Sequence, residues 1–322
     1  MALVAIWASA ASAQVSVGQT VRPPFELLAC SSPTAYEEVQ VSVGDGSGYS
    51  MPVSGTLTSW STNAGPGPGQ SMGIKVYRPL DELRFQVVAE DGPRALTSGG
   101  RNSFPVEIPV QAGDILGIFV PANGNAECRF GQTGLGTDFY RYNPGSSPSG
   151  AVVEFSPGLF GTEERLNAEA SLLPPPAVSS LSPSSGPIKG ATVAIGGANF
   201  AVVKGVAFGG IPAKSFSVDS EGQITAVAPD SSTLSRVSVA VTTAAGTATS
   251  SQTFAYEGCK VPKLKGRKLR AAKNGIRKSR CKLGSVKKRG DATAKTGKVA
   301  KQSPKPGKVL LPGTKVKVTL AE

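Results

Sequence analysis

The sequence predicts a mainly β chain: sandwich domains in series, closed by a small α+β module. Three observations predict it. Gly 39 and Pro 25 together make about a fifth of the 322 residues, a density that favours short strands and turns over long helices. Short runs of alternating apolar and polar residues recur along most of the chain, bounded by Gly, Pro, Asn or Asp. Only near the C-terminus does the period change, where Leu269, Ala272 and Ile276 fall at i, i+3 and i+7 on one helical face. With 39% hydrophobic and 17% charged residues, the chain has enough apolar side chains for buried cores.

Met1 to Ala13 reads as an apolar stretch ending in Ala-Ser-Ala before Gln14. It resembles the h-region and cleavage site of a secretory signal peptide, truncated in that no basic n-region precedes it. At 13 residues it falls short of the ~20 that a helix needs to span a bilayer, and no other segment is long enough. The expectation is an exported, soluble, secreted protein with no membrane span. Four cysteines, Cys30, Cys128, Cys259 and Cys281, agree with export to an oxidising compartment. They allow three pairings. Proximity within segments favours Cys30–Cys128 and Cys259–Cys281, the shorter loop contributing about 3 kcal/mol in the chain-entropy model.

Residues 14–173 carry alternating runs such as Val39-Gln40-Val41-Ser42-Val43, followed by the turn cluster Gly44 to Gly48. Phe85-Gln86-Val87-Val88 runs into Glu90-Asp91-Gly92-Pro93, a second turn signal. Pro105 and Pro109, on alternate positions of the next run, suit an edge strand whose missing N–H groups face solvent. The apolar run Ile115 to Val120 follows. These signals predict an antiparallel β-sandwich, with a jelly roll among its candidate forms. Pro174 to Pro176 then make a stiff linker. Residues 177–256 are nearly free of charge and hold at least five short strands in eighty residues, the pattern of an immunoglobulin-like sandwich.

Family resemblance enters with particular residues. Val178-Ser179-Ser180-Leu181-Ser182-Pro183, Gly197-Ala198-Asn199-Phe200, Val206 to Ala213, Ile224 to Pro229 and Thr253-Phe254-Ala255-Tyr256 resemble an IPT/TIG domain in order and spacing. Gly209-Gly210 suits a tight hairpin, and Asn199 tolerates turn conformations. Residues 258–322 resemble a PASTA domain through Val261-Pro262, Leu264, Gly266, Leu269, Ala272, Leu283-Gly284, Val299, Gln302-Ser303-Pro304, Pro306-Gly307, Gly313-Thr314 and Val316-Lys317-Val318. That resemblance implies one helix on a three-stranded sheet. Cys281 stands where the family usually has an apolar residue, and together with Cys259 it implies a disulfide from the segment before the helix to the strand after it.

The formal net charge of +12 is unevenly placed: residues 258–322 hold 21 Lys and Arg against two acidic residues, while residues 1–257 hold 13 against 20. A basic module on an acidic body faces a polyanion. The PASTA resemblance implies peptidoglycan, and anionic wall polymers would be drawn by charge. Candidate contacts are Arg267, Lys268, Arg277, Lys278, Arg280, Lys287, Lys288 and Arg289. Nucleic acid is disfavoured, because residues 258–322 contain no Phe, Tyr or Trp on which bases would stack. Leu311-Pro312-Gly313-Thr314-Lys315 departs from the wall-sorting signal at Lys315 and reads as the turn into the last strand.

Histidine is absent, which removes Ser-His-Asp and Cys-His catalysis and His-ligated zinc. No C-x-x-C, phosphate loop or nucleophile elbow occurs, so no catalytic residue, metal or cofactor is expected. Asp45 in a Gly-rich turn reads as a turn residue rather than a calcium ligand. Trp60, Tyr77, Tyr140 and Tyr142 are the candidate sugar-stacking residues of the first sandwich, weighed against core packing. The sequence therefore predicts a non-catalytic, exported, wall-associated binding protein with the IPT/TIG-like segment as spacer. The rival is a surface adhesin or carbohydrate-binding protein whose first sandwich carries the specific ligand. A hydrolase using that sandwich's carboxylates ranks third.

Overall fold

A computed structural model describes residues 14–20, 26–45, 48–131, 134 and 136–322. The signal-peptide expectation for residues 1–13 lies outside them. The chain forms two compact units, one ending at Pro175 and the other comprising 176–243 and 247–322.

The first unit holds β1 (Val15–Gln19), β2 (Leu27–Ser31), β3 (Tyr36–Ser42), β4 (Gly55–Asn63), β5 (Ser71–Pro79), β6 (Arg84–Ala95) and β7 (Arg101–Val110). It continues with β8 (Ile115–Val120), β9 (Asn125–Gly131), β10 (Phe139–Pro144), β11 (Val152–Glu154), β12 (Phe160–Thr162), β13 (Glu164–Leu166) and β14 (Ala168–Leu173). Three sheets result, ordered β1-β14-β4-β7, β11-β6-β5-β8-β3-β10-β12 and β13-β9-β2. Eight strands make the frame. The first pairs with the last (β1 with β14), then β3 with β8, β4 with β7 and β5 with β6, all antiparallel. That nesting is a long hairpin rolled so that its strands divide between two sheets, which is a jelly roll.

Local chemistry explains the placements. Pro105 and Pro109 lie on β7, the edge of its sheet, where an absent N–H costs no ladder bond. β8 sits between β3 and β5 and is buried from Leu116 to Val120, so a continuous apolar run is what the position demands. Two expectations need correction. β6 runs on through Glu90-Asp91-Gly92-Pro93 to Ala95, because β5 pairs with it along that whole length. β3 begins at Tyr36 and is buried on both faces from Glu37 to Gln40, so the alternation around Val39 and Val41 does not mark its burial.

Two-sided burial has a visible cause. Between the sheets lie Leu57, Trp60, Met72, Ile74, Ile118 and Leu172. On the other face of the larger sheet, Val39, Tyr77, Phe85, Val87, Val153 and Phe155 form a second apolar cluster. Beside it Lys75 Nζ stands 2.6 Å from Glu37 Oε2, both side chains fully buried. The hydroxyls of Tyr77 and Ser147 donate to the same carboxylate, at 3.1 and 2.9 Å.

The second unit opens with β15 (Ala177–Ser182), β16 (Ser185–Pro187), β17 (Thr192–Ala198), β18 (Val203–Phe208), β19 (Ile211–Pro212), β20 (Ser215–Ser220), β21 (Gln223–Val227), β22 (Arg236–Thr243) and β23 (Gly246–Glu257). Sheets β15-β17-β21-β20 and β16-β23-β22-β18-β19 face each other in the immunoglobulin order. Gly209 and Gly210 both take positive φ, as a two-residue hairpin between β18 and β19 requires, and Asn199 sits at φ +59°. Phe200, Phe208 and Phe254 fill the core.

The basic segment adds β24 (Cys259–Lys260), α1 (Leu269–Lys278), β25 (Lys282–Lys288), β26 (Lys298–Ser303), β27 (Val309–Leu310) and β28 (Lys315–Ala321). α1 buries Leu269, Ala272 and Ile276, the three residues its period nominates. They pack with Val299, Val316, Val318 and Leu320 of the sheet β25-β28-β26. Disulfides join Cys30 to Cys128 and Cys259 to Cys281. Val309 also packs on the immunoglobulin-like core, and Arg280 pairs with Glu257 at 2.5 Å.

Candidate functional site

Two surfaces concentrate chemistry: a cleft in the jelly roll and the outer face of the basic sheet. Register builds the cleft. β3 and β10 pair so that Tyr36 and Glu38 share a face with Tyr142, with Tyr140 opposite Gln40. Strand β2 closes one side, held to β9 by the Cys30–Cys128 bridge, and Phe160 of β12 lies at the rim. The cleft measures about 470 Å³ and is lined also by Ser31, Ser32, Thr34 and Arg129, within the usual span of small-molecule sites.

Its charges are internally balanced. Arg129 sits 2.6 Å from Glu164 Oε2 and 3.5 Å from Glu38 Oε1, with its guanidinium 5.0 Å over the Tyr140 ring. Burial pushes the Glu38 carboxyl up from its ordinary 4.5 to about 7; Arg129 pulls it down and Glu164 pushes it further up. Burial is also the main force holding the Tyr36 and Tyr140 phenols above their ordinary range, so both stay protonated. The other oxygen of Glu38 lies 3.8 Å from Cys128 Sγ, a disulfide sulfur with no proton to give. Glu38 and Glu164 both lie against one guanidinium, unlike two catalytic carboxyls that face each other across an open gap.

The sequence candidates divide. Trp60 and Tyr77 are fully buried and unavailable for stacking. Trp60 packs on Phe104 and its indole N–H donates to Asp91 at 2.7 Å, while Tyr77 serves Glu37. Tyr140 and Tyr142 do line the cleft. Asp45 is committed to Arg165 at 2.7 Å; Gly46 and Ser47 lie outside the described residues.

In the basic segment, strand alternation sends Val316, Val318 and Leu320 to the helix and Lys315 and Lys317 to the opposite face. Lys282 lies beside Lys315 and Lys301 beside Thr319, with Lys287 on the other flank. Five exposed lysines therefore share a helix-free sheet face. The same Lys-Val-Lys-Val alternation that gives the strand its apolar face also carries this basic one.

Family models match residues 176–256 as an IPT/TIG domain and residues 260–322 as a PASTA domain. The chain carries an IPT/TIG domain followed by a PASTA domain. No curated protein matches it. A solved structure, "SGBP-B from a complex xyloglucan utilization locus in Bacteroides uniformis", aligns at 17% identity over 63% of this chain and 46% of its own, with a TM-score of 0.24. The chain thus spans less than half of that structure, and the likeness carries no argument.

The PASTA and IPT/TIG domains support a binding role at a cell wall or cell surface. Within the PASTA domain the predicted contacts are spread over several elements. Arg267 and Lys268 stand at the entry of α1, Arg277 and Lys278 at its end, and Lys287, Lys288 and Arg289 at the far end of β25. Arg280 is engaged with Glu257. Among the described residues no helix is long and apolar enough to cross a membrane.

Proposed function

We propose that this is a non-catalytic, exported binding protein whose PASTA domain holds peptidoglycan or the anionic polymers attached to it, with the IPT/TIG domain as spacer. One observation carries the reading: Lys282, Lys287, Lys301, Lys315 and Lys317 lie exposed on one sheet face. A polyanion laid across that face meets several charges at once. Each exposed pair contributes only ~0–1 kcal/mol, so capture depends on their number and weakens with salt.

The test is co-sedimentation of the full chain with insoluble peptidoglycan, stripped or bearing its anionic polymers, over a salt series. Lys282→Gln, Lys301→Gln, Lys315→Gln and Lys317→Gln in one variant should reduce binding to the polymer-bearing wall at least about tenfold. Charge removal at Arg270, Lys273 and Arg277 on α1 should cost much less. Retention by stripped peptidoglycan at high salt would move the reading from charge capture to specific glycan recognition. Failure to sediment with either wall defeats it, and hydrolysis of the wall would defeat its non-catalytic part.

A further inference from the structure

We propose that the jelly-roll cleft is a second, independent binding site, for a neutral saccharide. The cleft's own charges disfavour an ionic ligand. Arg129 is already shared between Glu164 and Glu38, so among the described residues lining the cleft no free cation awaits an acidic ligand. Its charge in turn occupies the Tyr140 ring and the two carboxyls, leaving no open anionic cage for a cationic ligand. An uncharged ligand meets neither cost.

What remains is suited to a sugar. Tyr36, Tyr142 and Phe160 offer ring faces for the C–H faces of a pyranose. Ser31, Ser32 and Thr34 bring hydroxyls to the same wall. Glu38 supplies the decisive group. It is 2% exposed, lines the cleft, and has Arg129 at 3.5 Å on one oxygen and an unprotonated sulfur near the other. A buried carboxyl so poorly partnered gains most from a ligand that both donates and accepts hydrogen bonds. Sugar hydroxyls do both, so they suit Glu38 in either protonation state.

The experiment uses the full chain on an array of neutral and acidic oligosaccharides, in salt high enough to silence the PASTA domain, followed by titration calorimetry on the hits. Cellotetraose and chitotetraose serve as defined neutral probes, separating plain glucans from the N-acetylated glycan of a wall. A neutral glycan should bind with an affinity insensitive to salt and to the four-lysine variant. Phe160→Ala removes a ring 49% exposed to solvent, so the fold should survive; affinity should fall up to about tenfold. Tyr142→Ala should abolish binding, and Glu38→Gln, which keeps the shape, should weaken it several-fold. Circular dichroism confirms that each variant is folded. Three results overturn the proposal: no neutral glycan bound, binding confined to acidic glycans, or binding indifferent to Phe160→Ala and Tyr142→Ala.

Discussion

In the jelly roll, charged side chains meet partners brought from distant strands: Lys75 finds Glu37, Arg78 finds Asp114, Arg129 finds Glu38 and Glu164, and Arg165 finds Asp138. In the PASTA domain, 21 Lys and Arg share two acidic residues, and Arg280 reaches into the IPT/TIG domain for Glu257. The difference teaches where each set acts. Buried pairs are tied to stability, since taking one partner away strands the other in a dry interior. Exposed lysines contribute little to folding and remain free to attract a polymer.

The largest expected effect tests the first half of that comparison. Lys75→Met leaves Glu37 buried with only neutral donors around it and should destabilise the jelly roll by about 3–5 kcal/mol. Lys317→Met, on the exposed sheet face, should stay within about 0.5 kcal/mol. Hydrogen exchange resolved by segment reads both within one chain, and equal losses at the two lysines would erase the contrast.

Next in size is the pH response of Glu38. Its carboxyl titrates near 7 in the folded protein against an ordinary 4.5, so between those values the folded state holds a proton that the unfolded state has lost. The contribution of Glu38 to jelly-roll stability should therefore be greatest below about 4.5, fall as pH rises to about 7, and level off above. The fall attributable to this group is at most roughly 3 kcal/mol. Glu38→Gln should remove that slope and gain relative to wild type at pH 8. A wild-type slope that survives the substitution belongs to some other group.

Legibility followed the range of the interactions. α1 was readable because Leu269, Ala272 and Ile276 state its buried face within eight residues. The edge position of β7 was readable from Pro105 and Pro109, and the β18–β19 hairpin from Gly209-Gly210. The cleft was only half readable. Tyr140 and Tyr142 were nominated, but Glu38 and Arg129 are 91 residues apart and meet between two different sheets, β3 of the larger and β9 of the three-stranded one, a juxtaposition that no local pattern encodes. Glu37 and Glu38 moreover look like a solvated acidic pair, and only the covering cluster around Phe155 and the β10 partner bury both.

The smallest effect sharpens the claim that the PASTA helix leans on its sheet rather than on its own propensity. α1 lacks a side-chain cap at Lys268, has no acidic residue in its first turn, and carries Gly275 in its interior. A Cβ built at Gly275 would meet Arg267 Nη1 at 3.6 Å and Leu264 Cδ2 at 3.7 Å, ordinary contact distances. Gly275→Ala should therefore add about 1 kcal/mol to the helix. Exchange of α1 amides that open by local unfolding would slow about fivefold. Because the lysine face lies on the opposite side of the sheet, wall sedimentation should not change. Loss of sedimentation in this variant would place the polymer on the helix side and return Arg267, Arg277 and Lys278 to the site.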